Sequence, residues 1–154
     1  APLETGTEIK MHLPALIPDD YLPNISTRLV LYKRIAQAQG TEALKDIQVE
    51  MIDRFGLLPE ATKQLFIQAE IRLRAQALGI SEVDVGDAGG SVTFESTTPV
   101  PVNALIGLLQ SNPKEFKLAG SDTLRFIREL ESGEARRHYI EKLMTQWEEA
   151  CTST

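Results

Sequence analysis

Asp19 and Asp20 are adjacent carboxylates close in sequence to His12, a grouping that could run acid–base chemistry if a pocket gathered it. Pro18 and Pro23 bracket the pair, and aspartates between prolines ordinarily form turns, so a turn role is expected. A second chemical suggestion is the run Gly86, Asp87, Ala88, Gly89 and Gly90, which could cradle a phosphate. It lacks the dinucleotide spacing and any following lysine with serine or threonine, and extended runs flank it on both sides. It reads as a hairpin turn. His12 and His138 have no second histidine or cysteine at ligand spacing, and Cys151 is the single cysteine. No catalytic residue, metal or cofactor is expected, and no disulfide can form within the chain.

The informative charges lie between Thr41 and Phe55. Glu42, Asp46, Glu50 and Asp53 recur at helical spacing and fall on one side of a helix, with Val49 among them. Leu44, Ile47, Met51 and Phe55 project from the opposite side, which should be buried and so turn the carboxylates outward. Like charges one turn apart weaken an isolated helix by a few tenths of a kcal/mol each, so the stripe runs against local stability. It is either an ordinary solvated face or a docking site for a basic partner. Arg136, Arg137 and Lys142, interleaved with Glu134 and Glu141, are too few for a nucleic-acid footprint.

The elements that hold this stripe follow from the chain's punctuation. Glu8–Leu13 alternates as a short strand, and Pro14, Pro18 and Pro23 then break an apolar, docked segment. Ser26 can cap a helix carrying Leu29, Tyr32 and Ile35 that stops near Gly40; Thr41 can cap the next, which ends at Gly56. Pro59 opens a third helix that runs to about Leu78 and is apolar enough to be central. Two units of hairpin then helix follow: Ile80–Val85 with Ser91–Ser96 before a helix at Asn103–Ser111, and Phe116–Leu118 with Thr123–Ile127 before one at Gly133–Glu149. Tyr139, Ile140, Leu143, Met144 and Trp147 make one buried side of the last helix. The fold class is α+β, a helical first half followed by an antiparallel sheet with helices packed on it. Residues 1–7 read as a linker or cloning remnant, 8–150 as a single domain and 151–154 as a disordered tail.

The chain has 154 residues, 42% of them hydrophobic, and a formal net charge of −6. That balance disfavours nucleic-acid phosphates and suits a basic protein partner. No apolar stretch approaches the roughly 20 residues of a membrane helix, and no basic-then-hydrophobic leader opens the sequence, so neither membrane insertion nor secretion is expected. A lone cysteine fits a reducing cytoplasm.

Three stretches together resemble the carboxy-terminal domain of bacterial transcription-repair coupling factors: His12-Leu-Pro-Ala-Leu-Ile-Pro-Asp-Asp-Tyr-Leu22, Arg28-Leu-Val-Leu-Tyr-Lys-Arg-Ile-Ala36 and Glu50-Met-Ile-Asp-Arg-Phe-Gly-Leu-Leu-Pro59. The likeness runs from about Glu8 to Glu149 and thins over the hairpins, where Leu105-Ile-Gly-Leu-Leu109 alone stands out. The resemblance implies a cytoplasmic protein that acts on RNA polymerase stalled at DNA damage with an ATP-driven translocase and recruits nucleotide excision repair. This chain has no motor motif. It implies for the domain itself an autoinhibitory role: docking on an amino-terminal UvrB-like module of the same protein, masking the surface that recruits UvrA and restraining the motor. Glu50 and Asp53 lie in a family-like stretch and on the stripe, and are expected to pair with arginines of that module, with Glu42 and Asp46 at the edge and Val49 between. An interaction domain for an external repair or transcription factor is the alternative, with a small hydrolytic or phosphate-handling enzyme behind it.

Overall fold

The elements follow the chain as β1 (Glu8–Lys10), α1 (Ile25–Gln37), α2 (Thr41–Phe55), α3 (Glu60–Ala77), β2 (Ile80–Gly86), β3 (Gly89–Phe94), α4 (Val102–Ser111), β4 (Phe116–Ala119), β5 (Thr123–Ile127) and α5 (Gly133–Thr152). They are those of a computed structural model, which describes residues 6–153. The fold class is α+β, as expected. The span read as a single domain divides into two compact units: Leu13–Leu73, and the segment ending at His12 together with Arg74 onward.

In the Leu13–Leu73 unit, Asn24 rather than Ser26 caps α1, its Oδ1 accepting from the Thr27 amide at 2.8 Å. The helix buries Leu31 and Ile35, spaced one turn apart, while Leu29 is 63% exposed. The expected stripe linked Leu29 to Ile35, but six residues at 3.6 per turn leave them roughly 120° apart. Gly40 is the N-cap of α2, so Thr41 is its first helical residue and not its cap. Leu44, Ile47 and Met51 of α2 close on Leu31, Ile35, Phe66 and Ala69. At Gly56 the backbone takes φ 97°, a left-handed conformation that glycine tolerates, and the helix stops. The proline-broken segment is docked as expected. Ile17 and Leu22 lie in this core, the Ile17 amide donates to Tyr32 Oη at 2.7 Å, and Thr62 Oγ1 donates to the Leu16 carbonyl at 2.9 Å.

In the other unit the strands form one sheet in the order β1-β2-β3-β5-β4. The two expected hairpins are present, and β3 pairs antiparallel with β5 to join them. β1 adds a parallel edge to β2, which makes the sheet mixed. β1 is shorter than expected because His12, at φ 57°, turns the chain out of line. Only Asp87 and Ala88 form the first hairpin's turn, with Gly86 opposite Gly89. The glycines serve packing: a Cβ on Gly89 would overlap the Phe126 carbonyl oxygen, and one on Gly90 that of Asp84.

Val83, Val85, Val92, Phe94, Leu124 and Phe126 turn to one face of the sheet and are buried. Against it α5 lays Tyr139, Ile140, Leu143, Met144 and Trp147. Phe94 meets Trp147 edge-on at 5.2 Å between centroids, and Phe126 meets Tyr139 at 5.0 Å. Two boundary expectations are corrected. Thr7 is no linker residue, since it is buried with Oγ1 donating to the Ile80 carbonyl at 2.6 Å; residues 1–5 lie outside those described. The tail expected to be disordered from 151 is helical through Thr152, with Ser132 capping the other end of the same helix.

Candidate functional site

The buried side of α2 fixes what the helix shows. Because Leu44, Ile47 and Met51 are drawn into the core, Glu42, Asp46, Val49 and Asp53 are turned outward and exposed, Val49 to 54%. The sequence-derived stripe therefore exists as a surface. Among the described residues, Glu42, Asp46 and Asp53 make no ion pair or hydrogen bond through their side chains. Asp46 lines a shallow hollow of about 360 Å³ with Arg34, Gln37, Ala38, Ala43 and Ile47.

Glu50 differs from the other three. Arg34 of α1 donates from Nη1 to Oε2 at 3.0 Å and from Nη2 to Oε1 at 2.9 Å, a bidentate grip, while Arg54 donates to Oε2 at 3.1 Å. The Arg34 hydrogen bonds, with a smaller contribution from Arg54, hold its carboxyl below the ordinary glutamate value of 4.5. Of roughly four acceptor positions on a carboxylate, three are occupied and one on Oε1 remains. Glu50 is thus anchored within the chain at the flank of the stripe.

Sequence reasoning missed this anchor and two apolar neighbours. Arg54, one turn beyond Glu50, was legible as a helical pair; Arg34, on another helix, was not. Ile52 is 39% exposed and Leu57 85% exposed, so Val49 is accompanied by further apolar surface in this stretch. The other chemical candidates are placed elsewhere. Asp19 and Asp20 are exposed in the turn before Tyr21, where the Tyr21 and Leu22 amides donate to the Pro18 carbonyl. His12 Nε2 lies 2.8 Å from Asp84 Oδ1. Arg136, read as part of a small basic cluster, is instead buried: Nε donates to the Leu130 carbonyl at 2.8 Å and Nη1 to that of Met11 at 3.0 Å. Among the described residues no group of three or more His, Cys, Asp or Glu side chains is placed to hold a metal, and no helix is long and apolar enough to cross a membrane.

Comparison with known proteins gives these features a context. The TRCF domain family model matches residues 11–105, which include the whole of the α2 face. The transcription-repair-coupling factor of Escherichia coli (strain K12) is 41% identical over 143 residues, covering 93% of this chain and 12% of that protein. The corresponding protein of Haemophilus influenzae is 37% identical over 137 residues, 89% of this chain and 12% of the relative. The chain therefore spans about an eighth of the length of these relatives. A crystal structure described as the C-terminal domain of transcription-repair coupling factor superposes with a TM-score of 0.72 at 20% identity, covering 94% of this chain and 96% of that one, which shows a shared fold. On the match across both compact units and the relatives that accompany it, the chain belongs to the TRCF domain family of transcription-repair coupling factors.

Proposed function

We propose that this domain is the autoinhibitory clamp of a transcription-repair coupling factor, and that it grips its partner through the acidic face of α2. The partner is the amino-terminal UvrB-like module of the same protein. While docked, the domain covers the surface that recruits UvrA and restrains the ATP-driven translocase; engagement with RNA polymerase releases it. The observation that carries this reading is the set of exposed carboxylates on α2, Glu42, Asp46 and Asp53 around Val49, which have no counter-charge among the described residues.

A clamp that must open is served by a modest polar interface, since exposed pairs contribute about 0.2–1 kcal/mol each and are screened by salt. Arginine forks of the module match the carboxylates of Asp53 and Asp46, and Glu50 offers its remaining Oε1 position beside them. Val49 supplies the apolar centre. Arg34 and Arg54 hold Glu50 in place before the partner arrives, which reduces the side-chain ordering that docking requires.

The test is UvrA capture by the full-length factor carrying Asp46→Lys and Asp53→Lys. Loss of the clamp exposes the recruiting surface, so capture should rise by about tenfold, the effect of some 1.4 kcal/mol. Capture unchanged from the parent protein would contradict the proposal.

A further inference from the structure

A row of side chains crosses the whole sheet on the face turned away from α5: Lys10, Asp84, Ser91, Arg125 and Lys117, in register through β1, β2, β3, β5 and β4. At the β1 end its charged side chains have partners. Asp84 lies 2.8 Å from His12, and Lys10 Nζ reaches Glu82 at 3.0 Å. The β4 end differs. Arg125 and Lys117 stand directly opposite each other, both exposed, and among the described residues neither side chain makes an ion pair or hydrogen bond.

Like charges opposed across an antiparallel pair destabilise it, and nothing in the packing of this unit requires them. In a chain of net charge −6 they also run against the overall balance. Beside them the face is low: Ser91, Thr123 and Ala119 are small, and Gly89 and Gly90 carry no side chain. These residues line an open concavity of about 870 Å³ together with Ile127 and three carboxylates, of which Asp84 lies beside His12, Glu115 is held by Arg128 and Tyr139, and Asp87 sits in the hairpin turn.

We infer that the β3–β5–β4 half of this open face is a second docking surface, which takes an extended acidic protein segment with its carboxylates on Arg125 and Lys117. The arginine fork receives one carboxylate in the plane and the lysine holds another as a point charge. Adjacent strands are about 4.8 Å apart, within reach of alternate side chains on an extended segment that repeat roughly every 6.8 Å. The small-residue floor lets the segment's backbone approach. Two cations are too few for a duplex, whose non-specific binders neutralise roughly six to ten phosphates. The α2 face carries the opposite charge and so selects a different partner.

The experiment is an amide-shift titration of the 154-residue chain with a short peptide alternating glutamate and threonine. The same peptide with glutamine for glutamate, a single-stranded oligonucleotide and inorganic phosphate serve as comparators. The glutamate peptide should shift Ser91, Thr123, Arg125 and Lys117, and the glutamine peptide should not. Lys117→Glu should weaken the peptide by about tenfold. It should also raise Tm by about 2 °C, because it turns an opposed like-charge pair into an attractive one. That combination separates docking from a structural role, under which the substitution would lower Tm. Shifts confined to other surfaces, equal binding of the glutamine peptide, or tighter binding of the oligonucleotide or phosphate at the same residues would overturn the inference.

Discussion

Arg34 closes both terminal nitrogens on Glu50, at 3.0 and 2.9 Å, and so ties α1 to the flank of the acidic face of α2. Four carboxylates that look equivalent by helical spacing are therefore unequal in the fold. One is an internal anchor that borders the face, and the other three make no side-chain ion pair or hydrogen bond among the described residues.

Charge reversals should separate these roles. Glu50→Lys sets a third cation between Arg34 and Arg54, so Tm measured by helix circular dichroism should fall by about 3 °C. Asp53→Lys, with no partner to lose among the described residues, should leave Tm within about 1 °C while weakening docking. Equal losses of Tm at both positions would show that Asp53 is also committed inside the chain.

Acid should loosen the same anchor. Its arginine partners hold the Glu50 carboxyl below the ordinary 4.5, so the contribution it makes is fully present above that value and is lost as pH falls through the depressed one. Denaturant midpoints measured downward from pH 5 should fall less steeply in Glu50→Gln than in the parent chain. Parallel curves would refute the assignment.

Buried Arg136 joins the start of the sheet unit to its last helix through the carbonyls of Met11 and Leu130. Arg136→Leu keeps apolar volume but leaves both carbonyls without their charged donor, at a cost of about 3 kcal/mol. Urea unfolding followed by fluorescence of Trp147, the one tryptophan, reads this directly. A loss below about 1 kcal/mol would mean that water replaces the guanidinium.

Tyr139 donates to Glu115 Oε2 at 2.7 Å, the oxygen that Arg128 also reaches at 3.2 Å. Burial, and then the Glu115 carboxylate, push its phenol above the ordinary value of 10.0. A raised folded value means stability that is complete below pH 10 and lost as pH climbs beyond it. Tyr139→Phe should cost about 1–2 kcal/mol at neutral pH and flatten the alkaline loss. An alkaline profile unchanged by the substitution would contradict this.

How much of this was legible depended on the range of the interaction. The hairpins, the outward acidic face and the buried side of α5 rest on local periodicity and turn residues, and they came through. The cap of α1 was misread because Asn24 and Ser26 are both good caps and only the fold selects between them; reading from Ser26 also drew Leu29 to the wrong side. The parallel pairing of β1 with β2, the Arg34 grip on Glu50 and the burial of Arg136 join residues far apart in sequence. No local pattern encodes such partners. The glycine run carried a local signal, yet its reason is the closeness of the Asp84 and Phe126 backbones, which appears only in the assembled sheet.

Docking of this chain on the amino-terminal UvrB-like module is read by an NMR titration of the one with the other, at low and moderate salt. Amide shifts should centre on Glu42–Asp53, weaken as salt screens the pairs, and disappear in the Asp46→Lys, Asp53→Lys variant. Linkage on one chain can raise the effective concentration of such partners to the millimolar range, so the titration must extend that far. Shifts centred elsewhere, or none at millimolar module, would contradict the acidic face of α2 as the clamp.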